Sequence, residues 1–183
     1  MNNILDLILS DDNKPALNEL QNTFDLDESQ TRAAVEKLIP ALSRGLRNNT
    51  QQSSGMDSLL EALRTGAHEK YMEQPGSLGA PATRDDGNDI LGHIFGDKKV
   101  SREVANRASK STGVSSAILK KMLPVLATVV MGSLSKKVIS GGRSSGRTVQ
   151  ANSGGLLSSL LDSDRDGSIW DDVLGMAARG MLR

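Results

Sequence analysis

The sequence predicts an all-α protein, a multihelical bundle of two related helical units followed by a C-terminal acidic helix-loop-helix. Three observations carry this reading. With one Trp, one Tyr and two Phe in the chain, the core must be built from Leu, Ile, Val, Ala and Met, a composition suited to packed helices. Thr31, Val35, Leu38, Ile39, Leu42 and Leu46 fall at i, i+4, i+7, i+8, i+11 and i+15, the stripe of an amphipathic helix. Two long helical patterns carry a proline in the same local context, Lys37-Leu-Ile-Pro40 and Lys121-Met-Leu-Pro124.

Helical unit one, residues 1–73, opens with the apolar stretch Ile4-Leu-Asp-Leu-Ile-Leu and passes through a polar turn to a short helix. The turn Asp25-Leu-Asp follows, and Asp27 with Gln30 supplies a capping box for the long helix. Residues 74–89 read as a linker, because the prolines and glycines of residues 73–87 break a helix. Unit two, residues 90–139, repeats the plan with Ile90-Leu-Gly-His-Ile-Phe, the turn Gly113-Val-Ser and a second long helix about one turn shorter before its proline. An internal proline removes a helical hydrogen bond and favours a bend, so a shared bend around a core is expected at Pro40 and Pro124. Residues 140–155 have the Gly/Ser composition of a flexible tether, and residues 156–183 form the C-terminal acidic loop and helix.

Residues 122–134 are apolar on nearly every side. A helix of that kind is buried all round, and the run is too short and interrupted for a bilayer span, which takes roughly twenty apolar residues. The central helix of the core is the simplest expectation. A second is that the small residues Thr128, Gly132 and Ser133 admit the approach of another chain and make part of this helix an oligomer interface.

The net charge is zero but unevenly spread. Residues 1–73 carry 7 Lys/Arg against 12 Asp/Glu, giving −5; residues 74–138 carry 10 against 5, giving +5; residues 139–183 carry 5 against 5. Segments of opposite sign attract, within a chain or between neighbouring chains, although short segments also scatter this way by composition alone. Residues 104–122 imitate a helix-turn-helix, with Ala108, Gly113, Leu119 and Met122 at the small, turn and core positions. The second helix runs straight into the apolar segment, and the chain lacks a net basic footprint, so a nucleic-acid partner is not expected.

The most chemically pointed motif is Asp162-Ser-Asp-Arg-Asp-Gly-Ser-Ile. Calcium loops of the EF-hand kind place oxygen ligands at positions 1, 3, 5, 7, 9 and 12 with glycine at 6. Asp162, Asp164 and Asp166 fill 1, 3 and 5, Gly167 sits at 6, and the Ser168 carbonyl would serve at 7. Trp170 at position 9 offers only a water-mediated ligand, and Val173 at 12 cannot be the bidentate one. Asp172, or Asp171, would have to reach back from outside the usual register. Calcium is the candidate ion, bound weakly if at all. The alternative is equally complete: Asp166-Gly167 is a favoured turn, and Ser168 with Asp171 caps a helix over residues 170–181.

The proline-bearing helix of residues 121–137, the preceding Gly113-Val-Ser, the Gly/Ser tether and the acidic loop together resemble the YidB-like bacterial family, a domain family of unknown function. The resemblance implies an all-helical fold with homeodomain-like elements. It implies no activity, substrate or cofactor.

No catalytic constellation is read from the chain. His68 and His93 stand far apart with no acid, nucleophile or further ligand beside them in sequence, and are expected to be surface or helix-packing histidines. Gly141-Gly-Arg-Ser-Ser-Gly lacks the Lys-Ser/Thr ending of a phosphate loop. The absence of cysteine excludes disulfides and thiol catalysis and fits a reducing compartment. The N-terminus lacks a basic region, and Asp6 interrupts its apolar run, a poor signal peptide that leaves cytoplasmic residence as the expectation. Function is expected to be a non-catalytic interaction or self-assembly module, with a protein partner or further copies of the chain; weak calcium binding and DNA association stand behind it.

Overall fold

The computed structural model describes residues 3–51, 53–66, 68–143, 155, 157 and 159–161, and over these the regular structure is entirely helical. In chain order the α-helices are α1 (Ile4–Ile8), α2 (Lys14–Phe24), α3 (Glu28–Thr50), α4 (Ser53–Thr65), α5 (Lys70–Glu73), α6 (Pro81–Phe95), α7 (Lys98–Thr112) and α8 (Ser116–Arg143), with 3₁₀ turns over Asp11–Asn13 and Pro75–Gly79. Helix α8 is the axis of the bundle, and α1 through α7 each contact it.

Local chemistry accounts for the first elements. Asn3 caps α1 by accepting the Asp6 amide at 2.7 Å, satisfying one of the donors a helix start leaves free. The chain ends α2 with Asp25 in the left-handed conformation (φ 53), a position that Asn and Asp tolerate better than other side chains. Leu26 is then driven into the core, and Asp27 and Gln30 exchange the two bonds of the expected capping box at 2.7 and 3.1 Å. All six residues of the stripe from Thr31 to Leu46 are buried.

The same sequence of events recurs before α8. Gly113 ends α7 with φ 71, Val114 is buried, and the Ser115 hydroxyl oxygen accepts the Ile118 amide at 3.3 Å. In both places a left-handed residue, an inserted aliphatic and a capping side chain turn the chain into a long helix. Both helices run on through their prolines, Pro40 in α3 and Pro124 in α8.

The stretch read from composition as a linker is largely helical. Pro81 occupies the first turn of α6, where its fixed φ is favourable and its missing N–H is no loss. Gly87 lies inside the helix because α6 crosses α8 there. A Cβ at residue 87 would sit 2.9 Å from Pro124 Cα and closer still to the Pro124 carbonyl, so only glycine permits this approach. The local signal of a helix breaker is overridden by a tertiary contact.

Residues 122–135 of α8 are buried without interruption, as a helix apolar on every side requires. By length and composition the stretch Ser116–Val138 meets the requirements of a bilayer span, more than the run of residues 122–134 alone suggests, yet 78% of its most apolar window is buried inside the bundle. The small residues considered for an oligomer seam are occupied from within the chain. Gly132 lies against the His68 carbonyl and the Met72 side chain, and Thr128 is fully buried with its hydroxyl donating to the Val125 carbonyl. Ser133 donates to Asn13 Oδ1 at 2.9 Å, with the Val129 carbonyl also in reach at 2.8 Å, while Asn13 Nδ2 donates to the Leu7 carbonyl at 2.7 Å. Ser135 donates to the Leu63 carbonyl at 2.9 Å, tying α4 to the same axis.

Candidate functional site

A cavity of about 400 Å³ opens between the end of α3, α4, the segment leading into α5, α6 and α8. Its apolar lining comes from Leu46, Leu59, Ala62, Ile90, Ile94 and Met131, and its polar lining includes His68, Asp86, Asp89 and His93. Asp86, Asp89 and His93 share one face of α6 because their spacing of three and seven residues returns to the same side of a helix. His68 arrives from the other wall. The two histidines expected to be isolated thus meet two carboxylates at one cavity, a convergence hidden in the sequence by their separation of 25 positions. Only the α6 half, Asp-x-x-Asp-x-x-x-His, was there to be read as a helical face.

The polar wall is organised around Asp86. Its carboxylate accepts a hydrogen bond from the Tyr71 hydroxyl and pairs with Lys70 Nζ at 3.2 Å. The Lys70 ammonium also lies 4.8 Å from the centre of the Tyr71 ring, and His68 stacks on that ring at 6.5 Å. The Tyr71 hydroxyl, and Lys70 after it, hold the Asp86 carboxyl below its ordinary range. Burial, and secondarily the bond to Asp86, pushes the Tyr71 hydroxyl up. Burial pulls His68 below its ordinary value against the opposing pull of Asp86, because a desolvated imidazole resists taking up charge. The enclosed His68 Nδ1 has no hydrogen-bond partner among the described residues. Asn49 Nδ2 donates to the His93 carbonyl at 2.7 Å and fixes α3 against α6 at the cavity mouth.

The cavity thus sets an apolar wall beside a polar one. Among the described residues no three His, Asp or Glu side chains converge as metal ligands. Outside the cavity the charges expected from the segment totals lie on the surface. Asp12, Asp25, Asp27 and Glu28 are exposed on the first unit, and Lys98, Lys99, Arg102, Lys110, Lys120 and Lys121 on the second. An ion pair between the two segments, Lys70 with Asp86, has signs opposite to the segment totals. Before burial becomes continuous at Met122, α8 exposes only Ala117, Lys120 and Lys121. The candidate calcium ligands Asp162, Asp164, Asp166, Ser168 and Asp172 lie outside the described residues, as does most of the tether. Just before that loop, Leu157, Leu160 and Leu161 are helical and buried.

Fold and site define an all-helical bacterial-family domain with a cavity against its central helix. The chain belongs to the family described as bacterial protein of unknown function (DUF937), whose model matches residues 6–137, and the YidB-like resemblance is consistent with it. The match takes in α2 through α7, the last three of the five residues of α1 and most of α8. It ends before the tether and the acidic loop, which the resemblance drawn from sequence had included. No curated protein and no solved structure matches the chain.

Proposed function

We propose that the protein is a non-catalytic interaction module of the bacterial cytoplasm that assembles with further copies of itself, the acidic first unit of one copy meeting the basic second unit of the next. The observation that carries this reading is the pair of similar turns with unlike charge. Around the α2–α3 turn Asp25, Asp27 and Glu28 are exposed, and around the α7–α8 turn Lys110, Lys120 and Lys121 are exposed. Surfaces of opposite sign on one chain favour a heterologous contact, which propagates from copy to copy or closes into a ring. Homeodomain-like elements in the two units, suggested by the shared turn, belong to the same proposal. Contacts of this kind are screened over about 10 Å at 0.1 M salt. Light scattering should therefore find a larger species at low salt that falls to the monomer at high salt, and the double variant Lys120→Glu/Lys121→Glu should be monomeric at both. A wild-type monomer at every salt and protein concentration overturns the proposal.

A second reading, calcium binding by the acidic loop, is favoured by the buried helical leucines before it. Leu157, Leu160 and Leu161 are helical and buried, the last of them directly before Asp162 in the chain, and a helix-loop-helix has helical residues leading into its first ligand. We propose that Asp162, Asp164, Asp166 and the Ser168 carbonyl hold the ion with help from Asp172.

A further inference from the structure

We propose that the cavity between α3, α4, α6 and α8 binds a small organic cation with an apolar body, its ammonium held by Asp89 and its hydrocarbon laid against Leu59, Ile90 and Met131. A volume of about 400 Å³ lies in the range of small-molecule sites, which combine an apolar lining with a few convergent polar groups. The sign of the ligand follows from the wall. Two carboxylates line the cavity and no Lys or Arg does. Asp86 is already matched by Lys70 and Tyr71, whereas Asp89 has no ion pair or hydrogen bond among the described residues. An ammonium donates three hydrogen bonds and accepts none. Asp89 offers it a free carboxylate on the exposed side of the cavity. Burial favours the neutral form of His68, so the imidazole adds no positive charge to the cavity wall. An anionic ligand of the same shape would meet Asp89 uncompensated, and a neutral alcohol would give that carboxylate a single hydrogen bond with no opposite charge.

Three probes of one chain length separate these cases: octylammonium, octanol and octanoate, titrated into the full chain by calorimetry. The two histidines, His68 and His93, are followed by NMR. Octylammonium should give saturable heat and move both imidazole signals. Octanol should bind about tenfold more weakly, the value of one charge-assisted hydrogen bond, and octanoate more weakly still. Asp89→Asn should remove the preference for octylammonium over octanol. Asp85→Asn, on the same helix and exposed but outside the cavity, should leave it unchanged. Circular dichroism checks that both variants, at exposed positions, retain the fold. The proposal is overturned if octylammonium fails to bind, if it binds no better than octanol, or if Asp85→Asn weakens it as much as Asp89→Asn does, which would mean general attraction to an acidic surface.

Discussion

Gly87 of α6 lies directly on the carbonyl of Pro124 in α8, so close that a Cβ at residue 87 would fall 2.9 Å from Pro124 Cα. The obstacle is backbone, which cannot swing aside as a side-chain tip can. Gly87→Ala should therefore cost about 1–3 kcal/mol of stability as overpacking, although alanine is the better helix former. Gly92, in the same helix, has open space where its Cβ would be. There the same substitution should stabilise by about 0.4–1 kcal/mol through the unfolded chain. Urea midpoints moving in opposite directions are the expected result; a gain at residue 87 would contradict the crossing.

The buried pair Asn13 and Ser133 should behave as a coupled unit. Removing the Asn13 amide strips a donor from the Leu7 carbonyl and an acceptor from Ser133, so Asn13→Ala should cost about 1–3 kcal/mol. Ser133→Ala should cost less. A double-mutant cycle should return a coupling of about 0.5 kcal/mol or more, and strictly additive losses would show that the two side chains do not act together.

Acid should weaken the fold in two stages. The folded-state value of His68 is depressed below its ordinary 6.5 by burial, so its contribution is present above about pH 6.5 and is lost as the pH falls from there through the folded value. Asp86 is depressed below 3.8, chiefly by the Tyr71 hydroxyl, and its contribution goes at lower pH still. Replacing His68 by Gln should flatten the first stage. Tyr71→Phe should move the second toward higher pH. At the alkaline end Tyr71 is raised above 10.0 by burial and Asp86, so its contribution is intact below pH 10 and lost as the pH rises through the folded value. Melting temperature against pH for the wild type and both variants measures all three.

Trp170 is the only tryptophan of the chain and stands inside the acidic loop. If calcium binds, emission should change with a midpoint on the order of tens of micromolar to millimolar calcium, and Asp162→Asn/Asp166→Asn should abolish the change. If the loop is a helix cap, emission and melting temperature should ignore calcium, and Ser168→Ala should cost about 1 kcal/mol through the lost N-cap.

Features set by neighbouring residues were legible in the sequence. The capping box of Asp27 and Gln30, the buried Leu26 and Val114, the stripe from Thr31 to Leu46 and the burial of residues 122–134 all follow from side-chain chemistry within a few positions. Features set by contacts between distant helices were not. Pro81 and Gly87 carry breaker signals in isolation, and their helical roles depend on a helix start and on Pro124. The small residues Thr128, Gly132 and Ser133 announce close approach but not its partner, which proved to be the same chain. His68 and the α6 face meet only because α4, α5 and α6 wrap the same side of α8, and no local pattern encodes that.

The bond between Asn13 and Ser133 also bears on how the protein is made. The two residues are 120 positions apart, and α1 and α2 both rest on α8. At the usual 5–20 residues per second of synthesis, roughly 6–24 s pass after Asn13 is added before Ser133 joins the chain. Throughout that interval α1 and α2 can pack on α3 and the Pro75–Gly79 turn but lack the α8 surface they also rest on, so the first half cannot complete its fold as it emerges. Vectorial folding is therefore interrupted in this architecture: the nascent N-terminal helices must be kept from other chains until the late, most hydrophobic helix leaves the ribosome and closes the bundle around itself.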